Sequence, residues 1–181
     1  RSALLLPSDG QADNRLTLQA LLRCAENNPR IEIKVEGAPL RFARGALDHA
    51  GHDATLLTAG WQTGAVAVDS KGEALTLNRL DPSLADVAPI SGQMLSVETF
   101  DGGPATTIRS GPIYIVPKAD RIVIGATSEP GRVLTAPEAE QIENLRQRAI
   151  ELCPALAKAR VLESWAGIRP GLKNHAPLLG E

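Results

Sequence analysis

Aromatic residues are scarce in this sequence: two tryptophans, one tyrosine and two phenylalanines among 181 residues. A chain so poor in rings offers no stacking platform for single-stranded nucleic acid. An excess of one charge is lacking too. The 19 Lys and Arg face 21 Asp and Glu, mixed along the chain, for a formal net charge of -2. No basic block therefore points to nucleic acid or an anionic membrane surface. Cysteine is limited to Cys24 and Cys153, which form no CxxC or metal spacing. Both fall among apolar neighbours in helix-like segments, so they read as buried free thiols in a reducing cytoplasm. No apolar run approaches the ~20 residues that span a bilayer. The opening Arg1 to Pro7 is too short and too abruptly broken for a signal peptide. Neither a GxGxxG nor a GxxxxGK[ST] phosphate cradle occurs, and no GxSxG elbow supports a hydrolase. His49, His52 and His175 stand at no metal-ligand spacing, so no metal site is expected.

What is present is a hydrophobic fraction of 43%, enough for one full core or at most two small units. Pro7-Ser8-Asp9-Gly10 signals a turn, and Asp13 is a good N-cap for an amphipathic helix over about 13–27. Alternation over Arg30 to Val35 predicts a strand, as does the apolar run Asp53 to Gly60. The stretch from Trp61 to about Pro89 shows weak β alternation among turn residues. Ser91 to Phe100 and Thr106 to Arg109 read as strands. Ile113 to Val116 and Arg121 to Gly125 form a hairpin around Pro117 to Asp120. Ala136-Pro137-Glu138 opens a second helix, with Ile142, Leu145, Ala149, Ile150 and Leu152 on its apolar face and Pro154 as its stop. Val161 to Ala166 reads as a strand and Gly167 to Pro170 as a turn. The fold class is α+β: a mostly antiparallel sheet with flanking helices.

Two local features carry chemistry. Tyr114 is the lone tyrosine, set in an otherwise apolar strand within SGPIYIVPKADRIVIGAT; a tyrosine satisfied by water is the plain reading. Arg169 lies within SWAGIRPG, between Ile168 and Pro170. On a tight glycine-proline turn its guanidinium keeps a fixed direction, which suits bidentate capture of a carboxylate; a structural salt bridge is the competing use.

These motifs together resemble the glycine oxidase branch of the D-amino acid oxidase family, and the resemblance runs in order along nearly the whole chain. LLPSDGQADNRLTLQALLRCA resembles the family's acid-rich turn and following helix. RIEIKVEGAPLRF is similar to the strand beside the adenine end of FAD. DATLLTAGW resembles the Ala-Gly-x-Trp turn at the cofactor, although here Trp61 follows Gly60 directly. ISGQMLSVE is similar to the Lys/Arg-Gly-Gln segment, with Ser91 in place of the base. YIVPKADRIVIGAT and ESWAGIRPG are the most specific pieces.

The resemblance implies the substrate-binding domain of that family, plus a few strands of the FAD-binding side. Residues 1–75 would belong to the FAD side with a linker, and 76–181 to the substrate domain. It implies hydride transfer from a small amino acid or amine to FAD, with O2 as the acceptor. Arg169 would pair with the substrate carboxylate and Tyr114 would offer its hydroxyl to the same end. Pro39, Ala59, Gly60, Gly92 and Gln93 would face the cofactor. No residue needs to act as a catalytic base, because the flavin carries the redox step. Ser128 stands where some members carry methionine, and His175 replaces a small residue. The family's N-terminal dinucleotide fingerprint lies outside this sequence, so the chain is expected to need that FAD-binding segment as its partner and not to turn over alone. Homo-oligomerisation is left open. A catalytically silent interaction domain is the alternative of another class. Sarcosine oxidase and D-amino acid dehydrogenase are the alternatives among enzymes.

Overall fold

A computed structural model describes residues 4–6, 10–35, 40–43, 46–48, 52–172, 174 and 176. It divides into two compact units, Arg1–Gly37 and Ala38–Glu181. The first holds helix α1, Asn14–Glu26. The Asp13 carboxylate accepts from the backbone N–H of Arg15 at 3.0 Å and of Leu16 at 3.1 Å, satisfying two of the donors that a helix start leaves open. The helix expected here is present, but Leu16, Leu18, Leu21 and Leu22 are exposed. Cys24 is exposed with them, so the expectation of two buried thiols fails for Cys24; Cys153 is half-buried. The strand expected over Arg30 to Val35 is also absent. That segment has strand-like alternation but no ladder neighbour among the described residues, and a strand without a partner is not stabilised.

In the second unit the described strands form two sheets. The smaller contains β1 (Leu40–Ala43), β2 (Ala46–Asp48), β3 (Ala67–Ser70) and β4 (Glu73–Thr76), in the order β2-β1-β3-β4. The β3–β4 hairpin turns on Lys71 and Gly72, with φ of 57° and 84°. Two consecutive positive φ values make the tight turn whose twist matches a hairpin. The Asp69 carboxylate accepts from the Gly72 N–H at 2.7 Å. The run Asp53 to Gly60, expected as a strand, joins neither sheet. A short helix α2 (Leu77–Leu80) and a 3-10 turn (Pro82–Asp86) lead to the larger sheet.

That sheet contains β5 (Ala88–Val97), β6 (Ile108–Ser110), β7 (Ile113–Pro117), β8 (Ile122–Gly125) and β10 (Val161–Gly171), in the order β10-β5-β8-β7-β6. The short β9 (Glu129–Pro130) pairs with the start of β5. Every pairing in it is antiparallel. Helix α3 (Ala139–Leu152) packs on one face. Strand alternation puts Leu95, Val97, Ile113, Ile115, Ile122 and Ile124 on that face, where they meet Leu145 and Ala149 of α3. Ile142, Ile150 and Leu152 pack around this core. The mixed α+β class with a mostly antiparallel sheet is therefore the observed one.

One local expectation is overturned. Gly167 to Pro170 is not a turn: β10 runs through it to Gly171, pairing Gly167 with Gly92 and Arg169 with Ile90. Glycine and proline break a strand only when the ladder needs a side chain or an N–H from them. Here Pro170 faces Pro89, neither with an N–H to give, and β10 is the edge of the sheet. The long pairing with β5 overrides the local signal.

Candidate functional site

The face of the large sheet opposite α3 is built by register. Residues directly opposed across antiparallel strands share a face, about 5 Å apart. Arg109 on β6 opposes Tyr114 on β7, Tyr114 opposes Gly125 on β8, Gly125 opposes Met94 on β5, and Met94 opposes Trp165 on β10. These five residues form one row across the sheet. Two and four residues along β10, the same alternation places Gly167 and Arg169 on this face beside Gly92 and Ile90 of β5.

Side chains converge on the middle of this face. Gly125 has no Cβ, and the Tyr114 ring occupies the space above it: a Cβ there would stand 2.6 Å from Tyr114 Cζ and Oη. The phenol reaches across β8 and donates its proton toward Met94 Sδ at 3.5 Å. From the other side the Arg169 guanidinium lies above Gly92, its Nη2 being 3.8 Å from where a Gly92 Cβ would be, and it donates to Ser128 Oγ at 3.5 Å. Arg169 is held by an extended strand, not by the turn expected from sequence. Burial pushes the Tyr114 phenol above its ordinary value of 10, while the positive charges of Arg169 and Arg109 pull it back. The hydroxyl is therefore a neutral donor at physiological pH.

Gln93 points to the opposite face and is 0% exposed. Its Nε2 donates to Glu129 Oε1 at 2.8 Å and to Glu138 Oε2 at 3.1 Å, and its Oε1 accepts from the Glu138 N–H at 2.6 Å. Arg132 pairs with both carboxylates, with Glu138 at 2.8 Å. Hydrogen bonds from Thr127 and Gln93, then Arg132, hold Glu129 below the ordinary carboxyl range. Arg132 and then Gln93 do the same for Glu138. Ser91 is buried beside Gln93; it donates to the Arg132 carbonyl at 2.8 Å and accepts from the Leu134 N–H at 3.0 Å. This polar cluster fixes the 127–138 segment under the sheet and so places Ser128 at the edge of the Arg169 site. Gln93 has both amide hydrogens and its carbonyl committed to it.

Ala59 and Gly60 are exposed at the start of a 3-10 turn (Gly60–Ala65) that lies against β10. Gly60 has φ of 62°, a conformation that any larger side chain would strain. Gly167, opposed to Gly92 in register, leaves bare backbone between Arg169 and Trp165, while a Cβ at Gly92 would stand 2.9 Å from the Thr127 carbonyl. Pro39 and His175 lie outside the described residues. The structure thus gathers Tyr114, Arg169, Gly92 and Ser128 on one face and sends Gln93 to the other. Sequence reasoning missed Arg109, Met94 and the bare step at Gly125. The signal for Arg109 was available: Ser110-Gly111-Pro112 is a turn, and folding a hairpin about it sets residue 109 opposite 114.

The comparisons with known proteins bear on the family and the fold. The family model described as FAD dependent oxidoreductase matches residues 1–181. The glycine oxidase of Geobacillus kaustophilus is 35% identical over 137 residues, which cover 74% of this chain and 36% of that protein. The D-amino-acid oxidase of Rubrobacter xylanophilus is 42% identical over 99 residues, covering 50% of this chain and 28% of that one. The crystal structure of the Geobacillus kaustophilus glycine oxidase superimposes with a TM-score of 0.53 at 35% identity, covering 64% of this chain and 32% of that one. The chain spans between 25% and 36% of the length of curated relatives it matches. With a family match over its full length and a sheet that follows the same fold, the chain belongs to the FAD-dependent oxidoreductases of the D-amino acid oxidase type.

Proposed function

We propose that this chain forms the substrate side of an amino-acid or amine oxidase, with Arg169 and Tyr114 binding the substrate carboxylate. The observation that carries the proposal is convergence. Among the described residues, a guanidinium that bonds only a serine hydroxyl and a phenol that bonds only a thioether sulfur reach toward the middle of one sheet face. Arg169 supplies charge and a two-pronged donor, and neutral Tyr114 supplies a third hydrogen bond. Neither removes a proton from the substrate Cα, because a phenol raised above its ordinary value is a poor base at neutral pH. When bound, FAD supplies the two-electron acceptor for the hydride leaving that carbon, with O2 as the final acceptor. This chain's residues orient the amine and hold its carboxylate end.

The fit to FAD rests on bare backbone. A planar ring lies closest to a chain where no Cβ stands and nothing covers the backbone, as at Gly167, and Gly60 keeps the turn beside β10 open. We assign Ala59, Gly60 and Gly92 to the cofactor side, together with Pro39, and Gln93 to positioning its neighbour Gly92. Residues 1–75 go to the FAD side and 76–181 to the substrate domain. Apart from Thr76, the last residue of β4, the small sheet lies in the first part, and the large sheet, from Ala88 on, lies in the second. Glycine and D-amino acids are the substrate class proposed, in keeping with the named activities of the relatives.

In the full-length, FAD-loaded enzyme, Arg169→Ala raises KM for glycine or D-alanine by tenfold or more. That corresponds to the roughly 1.5–3 kcal/mol of a hydrogen bond to a charged group. The flavin content stays unchanged. An unaltered KM would remove Arg169 from the site.

A further inference from the structure

We propose that Arg109 reads a second acidic group on the substrate, so that the site prefers amino acids with an acidic side chain. This rests on the reading of Arg169 and Tyr114 as the carboxylate site and goes one step beyond it. Arg109 opposes Tyr114 directly in the β6–β7 ladder and shares its face. Its charge reaches the phenol, as that of Arg169 does from the other side. The site therefore carries two guanidiniums flanking one neutral donor.

Among the described residues, neither cation is answered by an acid. Among the described residues the Arg109 side chain makes no hydrogen bond or ion pair, and Arg169 reaches only Ser128. By contrast, Arg132 and Arg160 of the same unit are paired with carboxylates. Glu163, an acid that the register places on this face, lies on the far edge strand β10 and accepts from Ser96 Oγ at 3.5 Å. Glu129 and Glu138 are committed to Gln93 and Arg132 beneath the sheet. Two like charges on one open face are most stable when an anion meets each of them. A monocarboxylate meets one. A substrate with a second acid one to three carbons away meets both, its α-carboxylate on Arg169 and Tyr114 and its distal acid on Arg109. Because Arg109 is exposed, its share is that of a solvent-facing pair, about fivefold in affinity.

The test uses non-reacting acids of equal length, so that binding is read apart from turnover. Calorimetric titration of the full-length, FAD-loaded protein compares glutarate with valerate, which differ only in the distal acid. The wild type binds glutarate about fivefold more tightly or better, and the preference shrinks as salt rises. Arg109→Gln removes the preference, weakening glutarate binding more than valerate binding, while Arg109→Lys keeps part of it. The ratio of kcat/KM for D-glutamate over D-glutamine falls in parallel. Equal binding of the two acids by the wild type, or a preference that survives Arg109→Gln, overturns the proposal. Arg169→Ala separates the two readings: if it leaves valerate binding intact, it is the carboxylate site itself that fails.

Discussion

Gly125→Ala tests whether the Tyr114 phenol stands where the register places it. The added methyl would lie 2.6 Å from Cζ and Oη of Tyr114 and 2.9 Å from Cε2. Carbon atoms rest at about 3.5–4.0 Å, so the end of the ring must move by about 1 Å. The obstacle is the far end of a side chain, not backbone, so the ring swings and the strand survives; the cost in stability stays within about 1–3 kcal/mol. The swing takes the hydroxyl off Met94 Sδ and out of line with a carboxylate held by Arg169. A misplacement of that size costs up to about a hundredfold in rate. We expect kcat/KM of the full-length enzyme for glycine to fall roughly tenfold to a hundredfold, with acetate affinity falling in step and flavin content constant. In a Tyr114→Phe background the same substitution adds little, because the hydroxyl it displaces is already gone. Unchanged kcat/KM and unchanged acetate binding in Gly125→Ala would refute the placement of Tyr114 over Gly125. So would full additivity with Tyr114→Phe.

Two further outcomes follow from the cluster beneath the sheet. Gln93→Leu strips three hydrogen bonds and leaves the Glu138 N–H and one oxygen of each glutamate without that partner, costing about 2–4 kcal/mol, read as a lowered midpoint in urea unfolding. Glu129 and Glu138 are both held below their ordinary 4.5, so the stability they contribute is present above pH 4.5 and is lost as pH falls through their lowered values. A Glu129→Gln, Glu138→Gln double variant therefore shows a flatter decline of stability below pH 4.5 than the wild type; parallel acid-unfolding curves would show that the pairing with Arg132 carries no such linkage.

The legible parts of this fold were those with a local cause. Asp13 announces α1 because its carboxylate can reach the next two N–H groups. The 117–120 turn announces a hairpin because apolar strands flank it, and Ile142, Leu145 and Ala149 announce α3 by their spacing. The illegible parts were decided by partners. Asp53 to Gly60 and Arg30 to Val35 have strand composition but no ladder neighbour among the described residues, so they remain unpaired. Gly167 to Pro170 has turn composition but lies beside ten residues of β5, so it is strand. Periodicity reports which face a residue would take if paired; it does not report whether a pair exists. The same limit governed the site. Tyr114 and Arg169 were picked out by their rarity and setting, whereas Arg109 needed the hairpin register to join them.

Register also explains why one sheet can hold both a core and a polar site. On β5, Ser91, Gln93, Leu95 and Val97 are buried toward α3, while Ile90, Gly92 and Met94 alternate to the other side. Each residue of the open face is therefore one Cα from a residue locked into packing or into the Glu129–Arg132–Glu138 cluster. Gly92 is fixed by Ser91 and Gln93 on either side of it, both fully buried and both hydrogen-bonded to the 127–138 segment. A Cβ at Gly92 would press within 2.9 Å of the Thr127 carbonyl, so that segment and the strand approach as closely as backbone allows. The Arg169 guanidinium rests over this doubly anchored point, next to Ser128 of the same segment. Arg169 is thus aimed by buried polar contacts on the far side of the sheet, which is how an exposed side chain on an edge strand acquires a defined direction.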